Sequence, residues 1–225
     1  MGNGLALLIC LYDSIIFAYA AYLTFSSKKL DFKDKILGWF WVFIFTHFFL
    51  IGISLLLYPI SSKFFYALYF TGYSALFFQI TLGAFYLVAK ITKNFIIRFA
   101  SALVLLGIVA YLVIFFMQNA TVVRDPSGEF YLSVGTGTPL GYGPAILIGI
   151  IMILCFSLIL NDFRRGVFSW TNMAAFYTFY AFMTYTAISL VRVLRFLTHP
   201  WYLEIFYFFV PYLIYQSKKE LQGHD

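Results

Sequence analysis

Among the mainly apolar stretches of the chain stand a few ionisable or amide side chains: Asp13, His47, Gln79, Arg192 and Glu204 within them, and Arg195 just past the end of one. Ionisable groups are costly in such surroundings, and they persist where they bind, relay charge or pair. Asp13 lies nine residues into the first apolar stretch, roughly 13 Å along a helix rising 1.5 Å per residue. That depth keeps it from water unless a cavity or a partner reaches it. Arg192 and Arg195 are three apart and so share one helix face. Glu204 opens the last apolar stretch. A shared cavity would let Asp13, Arg192, Arg195 and Glu204 compensate one another and bind a small polar or anionic ligand, with arginine as the fork donor. In the alternative reading both arginines extend to lipid headgroups and Glu204 sits in water. His47, near the middle of the second stretch, is either a ligand-binding group or a hydrogen-bonded structural one. Gln79 reads as an interhelical hydrogen bond.

Familiar intramembrane chemistries lack their residues. A retinal Schiff base needs a lysine in the last stretch, and 201–215 has none. Two axial haem histidines need more than His47, the one histidine well inside a stretch. No Cys/His set has zinc spacing, Asp13 has no second aspartate for a protease pair, and no glycine loop suits a phosphate. The sequence therefore suggests no catalytic residue, metal site or cofactor, although a lone Asp and His leave room for some lipid chemistry.

The elements that hold these residues follow from composition. Of 225 residues, 63% are hydrophobic and 11% charged, with a mean hydropathy of +0.89. An average soluble domain carries roughly 25% charge, so soluble enzymes and nucleic-acid modules are excluded. A membrane helix needs about 20 apolar residues. Seven stretches qualify, at 4–25, 36–58, 64–89, 99–117, 144–160, 171–194 and 201–215. The expected fold is an all-α seven-helix membrane bundle over 1–217, with a loop at 118–143 and a short cytoplasmic tail at 218–225. Eleven of 15 basic residues fall in loops one, three and five and at the C-terminus. By the positive-inside rule the C-terminus is cytoplasmic and the N-terminus outside, in a plasma (inner) membrane. The net charge of +6 then reports topology and attraction to lipid headgroups, with no nucleic-acid partner. No basic segment precedes the first stretch, so that helix is expected to be retained.

The 118–143 segment contains Thr121-Val122-Val123-Arg124 and Glu129-Phe130-Tyr131-Leu132-Ser133-Val134 around Asp125-Pro126-Ser127-Gly128. Two β-prone runs about a Pro-Gly turn predict a small extracytoplasmic hairpin between the fourth and fifth helices. It serves either as a binding loop or as a plain connector. Aromatic residues make up 23% of the chain. Trp39 and Trp41 are expected to anchor one helix at a membrane interface, and the Tyr and Phe rings either to pack the bundle or to line a pocket for a planar or apolar ligand.

Two resemblances add to this reading. Gly2-Asn3-Gly4-Leu5-Ala6-Leu7-Leu8-Ile9 is similar to Gly141-Tyr142-Gly143-Pro144-Ala145-Ile146-Leu147-Ile148, with five identities in eight, and Ile53-Ser54-Leu55 matches Ile188-Ser189-Leu190. This resembles the three-plus-one-plus-three plan of small sugar-exporter and PQ-loop transporters, although their Pro-Gln pair is absent. Lys28-Lys29-Leu30, the run Phe65-Tyr66-Ala67-Leu68-Tyr69-Phe70-Thr71-Gly72, the 123–134 hairpin before Gly141-Tyr142-Gly143-Pro144, and Arg164-Arg165 give a second likeness. That layout resembles the seven-helix N-terminal sensor region of bacterial histidine kinases, here followed by no output domain. The resemblance implies a sensory or binding module whose signal passes through another subunit, or a stand-alone relative with a different task. The expectation is thus a binding or sensory module, or a non-catalytic subunit of a larger membrane complex, recognising its ligand on the outer half. Its partners would be membrane lipids and other membrane subunits or a second copy. A small-solute transporter is the alternative, and a lipid-acting membrane enzyme comes third.

Overall fold

In a computed structural model of the chain, the described residues are 2–26, 31–124, 130–134 and 205–222, with the single positions 153, 157 and 164. They form α1 (Gly2–Phe25), α2 (Phe32–Leu57), α3 (Ser62–Ile91), α4 (Phe95–Asn119), β1 (Ala120–Arg124) and β2 (Phe130–Val134). A 3-10 turn at Ile205–Phe208 then leads into α5 (Phe209–Gln222). Helices α1 to α4 are each long and apolar enough to cross a membrane. The stretches expected at 144–160 and 171–194 lie outside the described residues.

Polar residues lengthen two helices beyond their apolar runs. At α2 the Asp31 side chain accepts from the Phe32 N–H at 2.6 Å, and the Asp34 carboxylate accepts from the Asp31 N–H at 3.2 Å. This capping box starts the helix at Phe32 rather than at 36. At α4 the Asn94 side chain accepts from Ile96 and Ile97, so the helix starts at Phe95 rather than at 99. Arg98 closes the preceding corner by donating to the Thr92 and Ala89 carbonyls at 2.7 and 2.8 Å. At the other end of the chain, α5 continues through Lys218 and Lys219 to Gln222, into the expected tail.

Successive helices pack as antiparallel neighbours, α1 on α2, α2 on α3, and α3 on α4. A Cβ on Gly52 would meet the Cys10 Cβ at 3.3 Å, and one on Gly38 would strike the Phe25 ring. Residues early in α1 therefore face late α2, and the reverse. Likewise Phe43 stacks on Phe78 at 5.2 Å and Tyr58 meets Phe65 at 5.1 Å across α2 and α3. Helix α1 also packs against the 3-10 turn and α5, so segments from both ends of the sequence meet. At that meeting the Phe17 ring stacks on Trp41 at 6.1 Å and on Phe48 at 5.9 Å, and takes the edge of Tyr207 at 5.0 Å.

Helix α4 buries Val109, Leu112 and Phe116 against Phe70, Tyr73 and Phe77 of α3. Its other faces expose Phe95, Ile96, Phe99, Leu103 and Val104, a surface suited to lipid. Strands β1 and β2 pair antiparallel, from Ala120↔Val134 to Arg124↔Phe130. The Phe130 ring enters the end of the α2–α3 pair, 4.5 Å from Tyr58 and 4.7 Å from Phe65, while the Tyr69 hydroxyl donates to its carbonyl. Arg124 lies over the Tyr58 and Phe130 rings. Much of the aromatic content is thus spent joining elements ring to ring, each such pair contributing about 0.5–1.5 kcal/mol beyond area.

The two tryptophans part company. Trp39 is 54% exposed, whereas Trp41 is completely buried in the core and anchors nothing at a surface. Trp41 shares its helix face with Phe48, seven residues on, and that face turns inward.

Phe17 is fully buried, whereas Ile15 of the same helix is 72% exposed. Phe17→Ala should cost roughly 3–5 kcal/mol, and Ile15→Ala about 0.5 kcal/mol or less, in reversible unfolding in detergent micelles. Equal costs would contradict the packing.

Candidate functional site: the polar interior of helices one to three

Most hydroxyls in these helices close on their own backbone. Ser14 donates to the Cys10 carbonyl at 2.6 Å, Thr24 to Ala20 at 2.9 Å, Thr46 to Val42 at 2.8 Å and Ser54 to Ile51 at 2.7 Å. Such bonds hide polar groups in apolar surroundings and need no neighbour. Asp13, Trp41, His47 and Gln79 differ: all are buried, and all sit on faces turned to other helices.

Asp13 lies halfway along α1, on the face of Cys10, Phe17 and Ala20. Since Cys10 meets Gly52 and Phe17 stacks on Phe48, Asp13 is level with α2 within a turn of His47. The His47 Nδ1 is 2.8 Å from the Gly72 carbonyl oxygen on α3. A carbonyl only accepts, so Nδ1 carries the proton and Nε2 keeps a lone pair able to accept a hydrogen bond. Gly72 permits this contact, because a Cβ there would lie 3.1 Å from Ile51 and 3.3 Å from the His47 backbone oxygen. The imidazole is held edge-on to Phe48 at 5.0 Å and to Tyr73 at 5.2 Å.

A second layer lies roughly 10 Å further along the axis, six residues before His47 and seven after Gly72. It contains Trp41 and Gln79. Gln79 falls on the same α3 stripe as Gly72, facing α2. Among the described residues, neither the Trp41 indole N–H nor the Gln79 Oε1 has a hydrogen-bond partner. The interhelical bond expected of Gln79 is therefore not made by its carbonyl oxygen there.

Of the residues singled out by sequence, Asp13 and His47 are brought to one interior. Arg192, Arg195 and Glu204 lie outside the described residues. Trp41 was missed as a site residue, although its spacing from Phe48 was the available signal. Among the described residues, no group of three or more His, Cys, Asp or Glu could hold a metal. The described interior thus holds a carboxylate and an imidazole acceptor at neighbouring levels, and an amide oxygen and an indole donor further along the helices.

No protein-family model, curated protein or solved structure matches this chain. The likenesses to sensor regions and repeat transporters therefore rest on sequence pattern alone.

In nitrogen NMR spectra, His47 should show a protonated Nδ1 and a bare Nε2. His47→Phe should lower stability by about 1–2 kcal/mol through loss of the Gly72 bond. A protonated Nε2 with a bare Nδ1 would contradict this geometry.

Proposed function

We propose that this chain is a multi-pass integral membrane binding or sensory module, whose ligand enters the polar interior between α1, α2 and α3. The observation that carries the reading is the placement of Asp13 and His47 on adjacent helices facing one interior, at neighbouring levels. A buried ionisable pair of elements is expensive in a membrane and is kept where something binds. Arg192, Arg195 and Glu204 would complete the site from the remaining helices of a seven-helix bundle, with the N-terminus outside. The β1–β2 pair would sit on the outer side as part of the recognition surface. Lysines at the opposite end would meet anionic lipid. The apolar outer faces of α1 and α4 leave room for other subunits or a second copy.

A small-solute transporter is the second reading. The mid-helix depth of Asp13 and His47 favours it, since transporter sites lie near the midplane between repeats.

Native mass spectrometry of protein drawn from its own membrane into nanodiscs tests the binding reading. A retained small molecule should be lost, by about tenfold in occupancy or more, in Asp13→Asn and His47→Phe. Retention unchanged in both variants would overturn the site. Flux of the released molecule into proteoliposomes would favour the transporter over the sensor.

A further inference from the structure

The corner between α3 and α4 holds an arginine whose hydrogen-bonding edges are only partly used. Arg98 donates from Nε to the Thr92 carbonyl at 2.7 Å and from Nη2 to the Ala89 carbonyl at 2.8 Å. Its guanidinium carbon lies over the Phe32 ring, 5.5 Å from the centroid. These contacts hold the group in place by one edge and one face. A guanidinium carries five N–H donors, so the edge formed by Nη1 with Nη2 is still open. Among the described residues the one ion pair is Lys33–Asp31 at 3.8 Å, so no carboxylate there answers Arg98. Asp31 and Asp34, at the start of α2, are committed to its cap.

Two neighbours give the open edge a partner class. Lys93 is exposed and follows Thr92 directly, so a second cation stands beside the carbonyl that Arg98 holds. Phe95 lies three residues before Arg98 and is thus its neighbour on α4. The Phe95 ring is 77% exposed and stacks on Phe99 at 6.1 Å, with Leu103 and Val104 exposed beyond. Positive charge at one end of a bare apolar face matches a molecule that carries an anion on a hydrocarbon chain. A soluble phosphate would use the charge and leave the face bare, and a zwitterionic lipid would bring its own cation to two others. We infer that the α3–α4 corner is a binding site for one anionic phospholipid, its phosphate on Arg98 and Lys93 and its acyl chains along Phe95 and Phe99. The phosphate oxygens accept from Nη1 and Nη2 in the paired geometry that a guanidinium favours. The site rests on the reading of this chain as an integral membrane protein, and it is separate from the Asp13–His47 interior.

The probe is phosphatidylglycerol, a minority lipid in phosphatidylcholine nanodiscs that hold the whole chain. Native mass spectrometry of the released protein should show one phosphatidylglycerol retained per chain, in preference to phosphatidylcholine. Lys93→Gln should weaken that retention about fivefold. Arg98→Lys, which keeps the charge but loses the fork, should weaken it by about tenfold or more. Lys63→Gln, at the start of α3 and so at the opposite end of the bundle, should leave it unchanged. Neither inorganic phosphate nor glycerophosphoglycerol, the headgroup without its chains, should displace the lipid. Unchanged retention in both corner variants would overturn the site. Equal loss in Lys63→Gln, or equal retention of both lipids, would mean general adhesion to the bilayer and sink it as well. Displacement by either soluble phosphate would overturn the assignment to a lipid. Arg98 also closes the corner, so melting curves report whether its variant has folded, and the exposed Lys93 decides the question if it has not. Failure here leaves the interior site standing, since Asp13→Asn and His47→Phe report on that separately. Protein that stays monodisperse in buffer without detergent or lipid would instead bring down the membrane reading itself.

Discussion

The clamp on the Phe17 ring is the contact on which the rest depends. Trp41 and Phe48 of α2 hold one side of it, and Tyr207 from the far end of the sequence holds another. Through it α1, α2 and the turn before α5 become one body. Three of the polar groups of interest are tied to the clamp. Asp13 lies one turn before Phe17, His47 is next to Phe48, and Trp41 is itself a clamp ring. Rigid aromatic packing is what gives these side chains fixed positions in surroundings that would otherwise expel them.

A contrast in hydrogen bonding separates structure from function. Serine and threonine hydroxyls in α1, α2 and α3 bond to carbonyls three or four residues back on their own helix. They add local adhesion and ask nothing of their neighbours. His47 reaches across to Gly72, and Trp41 and Gln79 hold polar atoms buried away from any bond among the described residues. In an apolar bundle the second kind of group is the informative one, because nothing in the packing alone requires it.

Long apolar runs made α1 to α4 legible in the sequence, since few other structures tolerate such composition. Their starts were less legible. Asp31 with Asp34, and Asn94, extend helices into polar sequence that hydropathy discards. Asp13 and His47 stood out as ionisable letters among apolar ones. Trp41 did not, because tryptophan belongs equally to an interface and to a core, and only its phase relative to Phe48 decides. The docking of Phe130 between Tyr58 and Phe65 joins positions some 65 to 72 residues apart, and no local pattern announces it.

The register of α1 against α2 places Asp13 within a turn of the His47 level in the interior, and it can be measured directly. Gly52→Cys puts a Cβ at 3.3 Å from that of Cys10, close to the roughly 3.5–4.5 Å that a disulfide requires. With Cys155→Ala to leave a single partner, mild oxidation should crosslink Cys10 to position 52 in nearly every molecule, and a peptide map should show that pair. Folded protein with both thiols free after oxidation would contradict the register, and the shared polar interior with it.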